Sequence, residues 1–219
     1  MILAGRLSAR GGGAAGRQLT LDTVIYSGKI KGGTLGNNSR STDIMSKDRM
    51  DLKKYIREVP DWPKKGILFY DITPLLGDAE AFRAAVDAMA ADFVGAGIQY
   101  VVGTEARGFI FGAAISAKLN VGFVPVRKKG KLPSRTVSVT YDLEYGTSTV
   151  EVHKDAVPAG AKVLMVDDLL ATGGTIKASC ELIEQLGGKI AGVVFLIELT
   201  ELDGIKKLAG YKVKSIIRY

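Results

Sequence analysis

The chain has 219 residues, of which 47% are apolar and 24% charged, and its formal net charge at neutral pH is +7. This composition excludes collagen-like, disulfide-scaffold and wholly disordered proteins, and it suits one α/β domain with a sizeable core. No apolar run approaches the roughly 18 residues needed to cross a bilayer, and the single cysteine, Cys180, allows no intrachain disulfide. We therefore expect a cytoplasmic protein without a membrane partner.

The positive charge is concentrated in residues 1–49, which hold eight Lys or Arg against three acids. The other 170 residues carry 22 basic and 20 acidic side chains, so the body gives no reason to expect nucleic acid as a partner. Residues 1–49 are also rich in glycine and lack the apolar periodicity of a helix or strand. We interpret them as a disordered extension or as the product of a mis-assigned start, with the natural start at Met50; an organelle-targeting peptide is the alternative.

From Met50 onward, short β-branched runs alternate with longer segments of helical spacing. This alternation predicts βαβ units and a mostly parallel twisted sheet flanked by helices. In chain order, the predicted elements are a helix at 78–93, a strand at 100–102, a helix at 108–119, and strands at 121–126 and 162–166, then a helix at 175–186 and a strand at 190–196. Ligands of such sheets bind beyond the carboxyl ends of the strands, so the turns after residues 102, 126 and 166 are the candidate sites.

The first of these turns carries Arg107 between glycines, directly after a strand and before a helix. A guanidinium group matches the oxygens of a phosphate, so Arg107 is a candidate anion ligand; an arginine on a solvated turn is the alternative.

The second turn begins a basic run, which contains Arg127, Lys128, Lys129 and Lys131 within five residues. Such a run is either a solvated, self-repelling turn or a site for a polyanion.

The alternating Thr, Val and Tyr residues of segment 134–153 then predict a flexible β-hairpin with Glu144 near its tip. We interpret His153, the only histidine, as a surface residue.

The third turn is the most informative, because two acids end a buried strand and a Thr/Gly loop opens the next helix. Asp167 and Asp168 accept hydrogen bonds without donating, which suits the two hydroxyls of a ribose. Both can reach one ligand only where the regular strand ends. The loop offers exposed backbone N–H groups, hydroxyl donors and the positive end of a helix to a phosphate; its residues are Ala171, Thr172, Gly173, Gly174 and Thr175. A metal-binding acid of a P-loop enzyme is the competing interpretation, but no G-x-x-x-x-G-K-[ST] motif occurs.

With its apolar run, acid pair and Thr-Gly-Gly-Thr loop, the chain resembles the phosphoribosyltransferase family, whose signature binds 5-phosphoribosyl-1-pyrophosphate (PRPP). The resemblance covers residues 51–219 and none of 1–49. It implies the type I phosphoribosyltransferase fold, with a small hood and a flexible β-hairpin lid. Leu143-Glu144-Tyr145-Gly146 and the segment 66–74 are similar to the adenine-using branch.

The resemblance implies a role for each candidate residue. Asp167 and Asp168 would hold the ribose, the loop 171–175 the 5′-phosphate, and Arg107, Arg127, Lys128 and Lys131 the pyrophosphate. Glu144 would act on the base, and the adenine would lie against Leu68, Phe69 and Leu169. A non-proline cis peptide is expected at Glu105–Ala106. One departure is Tyr70, since relatives commonly have arginine at that position.

The implied reaction is a displacement at the anomeric carbon of ribose, in which adenine and PRPP give AMP and pyrophosphate. Mg²⁺, held by the substrate oxygens and not directly by the protein, would be the cofactor, and in a homodimer the cations of the basic run would reach the neighbouring subunit's site. Two alternatives stay open. One is a phosphoribosyltransferase for xanthine, hypoxanthine or orotate, and the other is a purine-responsive transcriptional regulator that keeps the PRPP loop as a sensor.

Overall fold

The structure, a computed structural model, describes residues 50–142 and 146–219. The predicted extension at 1–49 and the tip of the predicted hairpin, including Glu144, lie outside these residues. In the part of the chain that is described, no helix is both long and apolar enough to span a membrane.

The strands of the described residues form two sheets. Strands β1 (Arg57–Pro60) and β2 (Leu68–Asp71) pair antiparallel in a small sheet of their own. The central sheet contains seven strands, which are β3 (Tyr100–Thr104), β4 (Gly122–Lys128), β5 (Thr136–Asp142), β6 (Thr147–His153), β7 (Lys162–Leu170), β8 (Lys189–Glu198) and β9 (Val213–Arg218). Their order is β5-β6-β4-β3-β7-β8-β9, and the five strands from β4 to β9 are parallel.

Within residues 50–142 and 146–219, four α-helices accompany the central sheet, namely α1 (Thr73–Gly77), α2 (Ala79–Ala90), α3 (Gly108–Leu119) and α4 (Gly174–Gln185). The core on one face joins α2 and α3 to Leu164 and Val166 of β7. The core on the other face joins α4 to Val163 and Met165 of the same strand. β7 is therefore buried on both faces, as a central parallel strand must be.

The helix predicted at 78–93 is confirmed, and its ends have local causes. The Asp78 carboxylate caps the start of α2 by accepting from the backbone N–H groups of Glu80, at 3.0 Å, and Ala81, at 2.9 Å. After Ala90 the chain tightens into a 3₁₀ turn, Ala91–Phe93. Gly95 and Gly97 then take φ values of +72°, which ends the helical conformation.

The strand predicted at 162–166 is wrong at its carboxyl end, because β7 continues through both acids to Leu170. Along β7, the side chains stop alternating between the two faces of the sheet at the acids. Val166 and Leu169, three residues apart, contact the same hydrophobic core, whereas a regular strand would direct them to opposite faces. The acids therefore reach one site because the strand is irregular there, and not because it ends.

The predicted hairpin is confirmed, and its strands belong to the central sheet. β5 pairs with β6 from Thr136 opposite His153 to Asp142 opposite Thr147, and β6 pairs antiparallel with the end of β4. Val150 and Val152 of β6 are buried in the core on the α4 side. The hairpin thereby extends the sheet directly beside the carboxyl ends of the parallel strands.

Candidate active site

An open cavity of about 360 Å³ lies at the carboxyl edge of the central sheet. Two segments line it: residues 105–107, which follow β3, and residues 167–176, which run from the end of β7 into α4. Parallel strands bring these turns together because their carboxyl ends meet at one edge. The cavity contains the predicted residues Arg107, Asp167, Asp168, Leu169, Ala171, Thr172, Gly173, Gly174 and Thr175.

The two acids are close to each other but have different partners. Asp167 Oδ1 accepts a hydrogen bond of 2.9 Å from the backbone N–H of Asp168. Asp168 is only 5% exposed, and its Oδ2 lies 2.8 Å from Nε of Arg107. The N–H is not aligned for a hydrogen bond, so the buried Oδ2 accepts none within the described residues. An acceptor with this arrangement suits a hydroxyl donor from a ligand.

Burial raises the pKa of Asp167 well above its usual range, and the charge of Asp168 raises it further. Burial also raises the pKa of Asp168, but the positive charge of Arg107 opposes this effect. Two acids this close cannot both ionise without cost. The environment thus favours the neutral form of Asp167 more than that of Asp168, because only Asp168 is paired with the arginine.

Gly108, the first residue of α3, has no side chain, and the Asp167 carboxylate occupies the space where one would lie. A Cβ atom on Gly108 would lie 2.6 Å from Asp167 Oδ1 and 3.1 Å from the carbonyl oxygen of Val166. Any side chain there would displace the acid or the strand. Sequence reasoning missed this role, although the glycine next to Arg107 was visible.

The Thr/Gly loop turns sharply between β7 and α4. Gly173 has a φ of +75°, and α4 begins at the next residue. A Cβ on Gly173 would also lie 2.5 Å from the carbonyl oxygen of Gly204, so a second main chain packs directly against the loop. The first turn of α4 then faces the cavity with its free backbone N–H groups, which favours a phosphate.

Thr175 is hydrogen-bonded to Tyr141, a residue of the hairpin strand β5. The hydroxyl groups of Tyr141 and Thr175 lie 2.9 Å apart, and a Cβ on Gly174 would lie 3.2 Å from Cδ2 of Tyr141. The Tyr141 ring therefore covers the start of α4. Neither this contact nor the packing of Gly204 was predicted, because both join segments about 30 residues apart along the chain.

Arg107 also approaches the small antiparallel sheet. Its guanidinium carbon lies 5.2 Å from the centroid of the Phe69 ring, which is within the range of a cation–π contact. Trp62 packs edge-on against the same ring, with the centroids 4.4 Å apart. Phe69 is half-buried and belongs to neither hydrophobic core of the described residues, whereas Leu68 is 43% exposed. The small sheet is thereby placed at the mouth of the cavity.

Tyr70 points away from that mouth. Its ring packs against the ring of Tyr219, with the centroids 4.1 Å apart, and burial raises its pKa. Lys53 lies over the outer face of Tyr219, at 4.4 Å from the ring centroid. The position where relatives commonly have arginine therefore makes an apolar contact between the small sheet and the body.

The basic run does not line this cavity. Arg127 donates through Nε and Nη2 to the carboxylate of Glu105, both at 3.2 Å, and through Nη1 to the carbonyl oxygen of Lys131. Burial alone would raise the pKa of Glu105, but these hydrogen bonds and the charge of Arg127 hold it below its usual range. Lys128 and Lys131 are exposed.

Glu151, which sequence reasoning missed, shapes the turn that carries these lysines. It is only 5% exposed, and its Oε1 accepts from the backbone N–H groups of Gly130, Lys131 and Leu132 at 3.0–3.2 Å. In the sequence it is one polar residue of the alternating segment 134–153, and its place opposite Arg127 on β6 is visible only in the structure.

Two other expectations are tested by the described residues, and the single cysteine is also described. The Glu105–Ala106 peptide is cis, as the resemblance implied. The interpretation of His153 as a surface residue is wrong, because the side chain is half-buried and its Nε2 is enclosed without a hydrogen-bond partner in the described structure. Cys180 is buried, and burial raises the pKa of its thiol to about 12, so it is no nucleophile.

The described residues contain no group of three or more His, Cys, Asp or Glu side chains able to hold a metal ion. The cavity lining contains three carboxylates, of which Asp168 is paired with Arg107 and Glu105 with Arg127, while Asp167 has no arginine partner among the described residues. This donor set fits a Mg²⁺ ion only if most of its ligands come from the oxygens of a bound substrate.

The phosphoribosyl transferase domain matches residues 76–217. An adenine phosphoribosyltransferase of Clostridium perfringens is 58% identical over 170 residues, which are 78% of this chain and 99% of that protein.

Solved structures give the same result. The adenine phosphoribosyltransferase of Thermoanaerobacter pseudethanolicus matches with a TM-score of 0.76 and 54% identity, over 78% of this chain and 100% of that one. The enzyme of Saccharomyces cerevisiae, solved with an imino-altritol bisphosphate and adenine, matches with a TM-score of 0.73 and 40% identity, over 77% of this chain and 97% of that one.

Proposed function

The chain belongs to the phosphoribosyltransferase family, within its adenine-specific members, and on that premise we propose how its residues divide the work. The enzyme transfers the 5-phosphoribosyl group of PRPP to adenine, giving AMP and pyrophosphate, a reaction of purine salvage. One observation carries the assignment of the site: the acid pair, the phosphate loop and Arg107 line the same cavity at the carboxyl edge of the sheet.

Asp167 and Asp168 hold the hydroxyls of the ribose. Two observations support this role. Asp168 Oδ2 accepts no hydrogen bond in the described structure, so it can accept one from a ribose hydroxyl. The pKa of Asp167 is raised, and in its protonated form this acid can donate to the oxygen of the other hydroxyl. The loop of residues 171–175 lies one turn further along and binds the 5′-phosphate through its N–H groups and hydroxyls.

Arg107 stabilises the departing pyrophosphate. The displacement passes through an oxocarbenium-like transition state, in which negative charge develops on the leaving group. Arg107 is the cation that lines the cavity, and its ion pair with Asp168 orients it before substrate binds.

Three residues contact the adenine. Phe69 stacks on its ring, Leu68 offers backbone hydrogen bonds, and Leu169 forms the opposite apolar wall. Glu144 acts on the base as acid or base.

Mg²⁺, bound together with the substrate, would neutralise negative charge on the departing pyrophosphate. The small number of carboxylates in the cavity supports a metal held mainly by PRPP. Titration calorimetry with MgCl₂ should then detect binding to the enzyme–pyrophosphate complex and none to the free enzyme; tight binding by the free enzyme would contradict this assignment.

We place Lys128 and Lys131 of the basic run in the site of a second copy of the chain. Lys128 and Lys131 are exposed, and they lie outside the lining of this chain's cavity, which supports a homodimer with shared sites. Mixing an inactive Arg107→Gln chain with an inactive Lys131→Ala chain should restore activity in mixed dimers. No recovery would contradict a shared site.

The decisive test of the function is a product assay. The purified enzyme is supplied with PRPP, Mg²⁺ and one base at a time, and nucleotide and pyrophosphate are measured for adenine, hypoxanthine, guanine, xanthine and orotate. We expect AMP from adenine and far slower reaction with the other bases. Preferential use of hypoxanthine, xanthine or orotate would favour the alternative enzymes.

A further inference from the structure

The contact between Tyr141 and Thr175 joins the hairpin to the phosphate loop. The two hydroxyl oxygens lie 2.9 Å apart, and the residues are 34 positions apart in the sequence. We infer that Tyr141 is a positioning residue, whose hydroxyl donates to Thr175 and so directs the single Thr175 proton toward the 5′-phosphate. This inference rests on the proposed function, because it assumes that the loop binds that phosphate.

The direction of the hydrogen bond follows from the chemistry of the ligand. A phosphate dianion has only acceptor oxygens, so each hydroxyl that contacts it must donate. Thr175 carries one hydroxyl proton and two lone pairs. If Thr175 gave its proton to Tyr141, none would be left for the phosphate. With phosphate bound, Tyr141 must therefore be the donor, and a chain of two hydroxyls forms in which each bond polarises the next.

The ring of Tyr141 is fixed by packing, which gives its hydroxyl a defined position. It contacts the core on the α4 side and covers Gly174, where a Cβ would lie 3.2 Å from Cδ2. Its strand neighbour across the hairpin is Ser148. A hydroxyl on a rigid ring costs less entropy to order than one on a flexible side chain, so it restricts the Thr175 rotamer effectively.

The first experiment removes only this hydroxyl. In Tyr141→Phe the ring and its packing remain, so the fold is kept and Thr175 loses its donor. We expect the dissociation constants of AMP and ribose 5-phosphate, and the KM for PRPP, to rise roughly threefold to tenfold, the usual effect of losing one hydrogen bond between neutral groups. Adenine affinity and kcat at saturating PRPP should change by less than about twofold, because neither depends on ground-state phosphate binding.

The matched control is Tyr211→Phe. Tyr211 also donates its hydroxyl to a residue of α4, Glu184, at 2.9 Å, but it lies outside the cavity. This variant should bind AMP and ribose 5-phosphate as the unmodified enzyme does. Equal losses in both variants would show a general effect of removing a tyrosine hydroxyl beside α4, and would overturn the inference.

A double-mutant cycle measures whether Tyr141 and Thr175 act together on ribose 5-phosphate binding, which a purely structural role of Tyr141 would not produce. In a Thr175→Val background the relay has no second member, so Tyr141→Phe should cause no further loss of ribose 5-phosphate affinity. Additive losses would overturn the inference, as would unchanged phosphate affinity in Tyr141→Phe alone. Failure of the unmodified enzyme to bind ribose 5-phosphate would instead contradict the proposed function, so the two failures are distinguishable.

Discussion

Arg107 and Asp168 form an ion pair across the carboxyl edge of the central sheet, with Nε and Oδ2 separated by 2.8 Å. The arginine comes from the turn between β3 and α3, and the acid from β7. Asp168 is 5% exposed, so its charge depends on this partner, whereas the Arg107 side chain still reaches the cavity and the Phe69 ring. One guanidinium thus connects the proposed ribose, pyrophosphate and adenine subsites.

Arg107→Gln should lower kcat/KM for PRPP by roughly 10²- to 10³-fold, because the departing pyrophosphate loses a preorganised charged donor. Steady-state kinetics at varied PRPP measures the effect. Arg83→Gln, an exposed arginine of α2 outside the cavity, is the control and should keep full activity. A loss below about threefold in Arg107→Gln would remove the residue from transition-state stabilisation.

Phe69→Ala should weaken adenine binding by about 1–3 kcal/mol, the range found when an aromatic partner of a base is removed. The KM for PRPP should stay nearly unchanged. Phe69→Trp keeps an aromatic face and should recover most of the affinity. If the alanine variant bound adenine normally, Phe69 would serve only its contact with Trp62.

Asp167→Asn tests the raised pKa of the acid pair. Folding raises the pKa of the Asp167 carboxyl, so this group favours the folded state most at a pH below its unfolded pKa of about 3.9. That contribution to the free energy of unfolding is lost as the pH rises through the folded pKa. The asparagine cannot ionise and can keep the hydrogen bond from the Asp168 N–H.

The melting temperature of Asp167→Asn should therefore exceed that of the unmodified enzyme at pH 8, and the difference should shrink as the pH falls toward ~4. Exposed Asp155→Asn is the control and should show no such trend. A difference that grows in acid would contradict the raised pKa. The asparagine variant should also bind PRPP more weakly, since stability and ligand binding compete at this site.

Glu144→Gln should reduce kcat far more than it reduces PRPP affinity, because the resemblance assigns this residue to the base and not to the phosphates. Single-turnover rates and PRPP binding measured separately resolve the two effects. Exposed Glu80→Gln, on α2, serves as the control. Unchanged turnover would exclude Glu144 from the mechanism.

A chain that begins at Met50 should have the same kcat/KM for adenine and PRPP, within about twofold, as the full chain. Leu52 is the first residue of the described hydrophobic core, and the family match begins later, at residue 76. Activity that fell strongly on removal of residues 1–49 would show that this segment contributes to the site.

Some features could be read from the sequence because they depend on local chemistry. The helical spacing of the apolar residues over 78–93 predicted α2. The acid pair and the Thr/Gly loop are contiguous in the chain, so their pattern alone placed a ribose-phosphate site. The predicted end of β7 was wrong because the local pattern does not show that β8 goes on pairing with β7 past the acids, as far as Leu170 opposite Glu198.

The sequence by itself determined the alternating α/β architecture, the phosphate loop and the family, since each is carried by a short stretch of neighbouring residues. Only the tertiary structure decided that Arg107 pairs with Asp168, that Arg127 is held by Glu105, and that Tyr141 and Gly204 support the loop. The physical reason is distance along the chain. These contacts join segments 22 to 61 residues apart, and their partners are chosen by the order of the strands in the sheet, which no local pattern encodes.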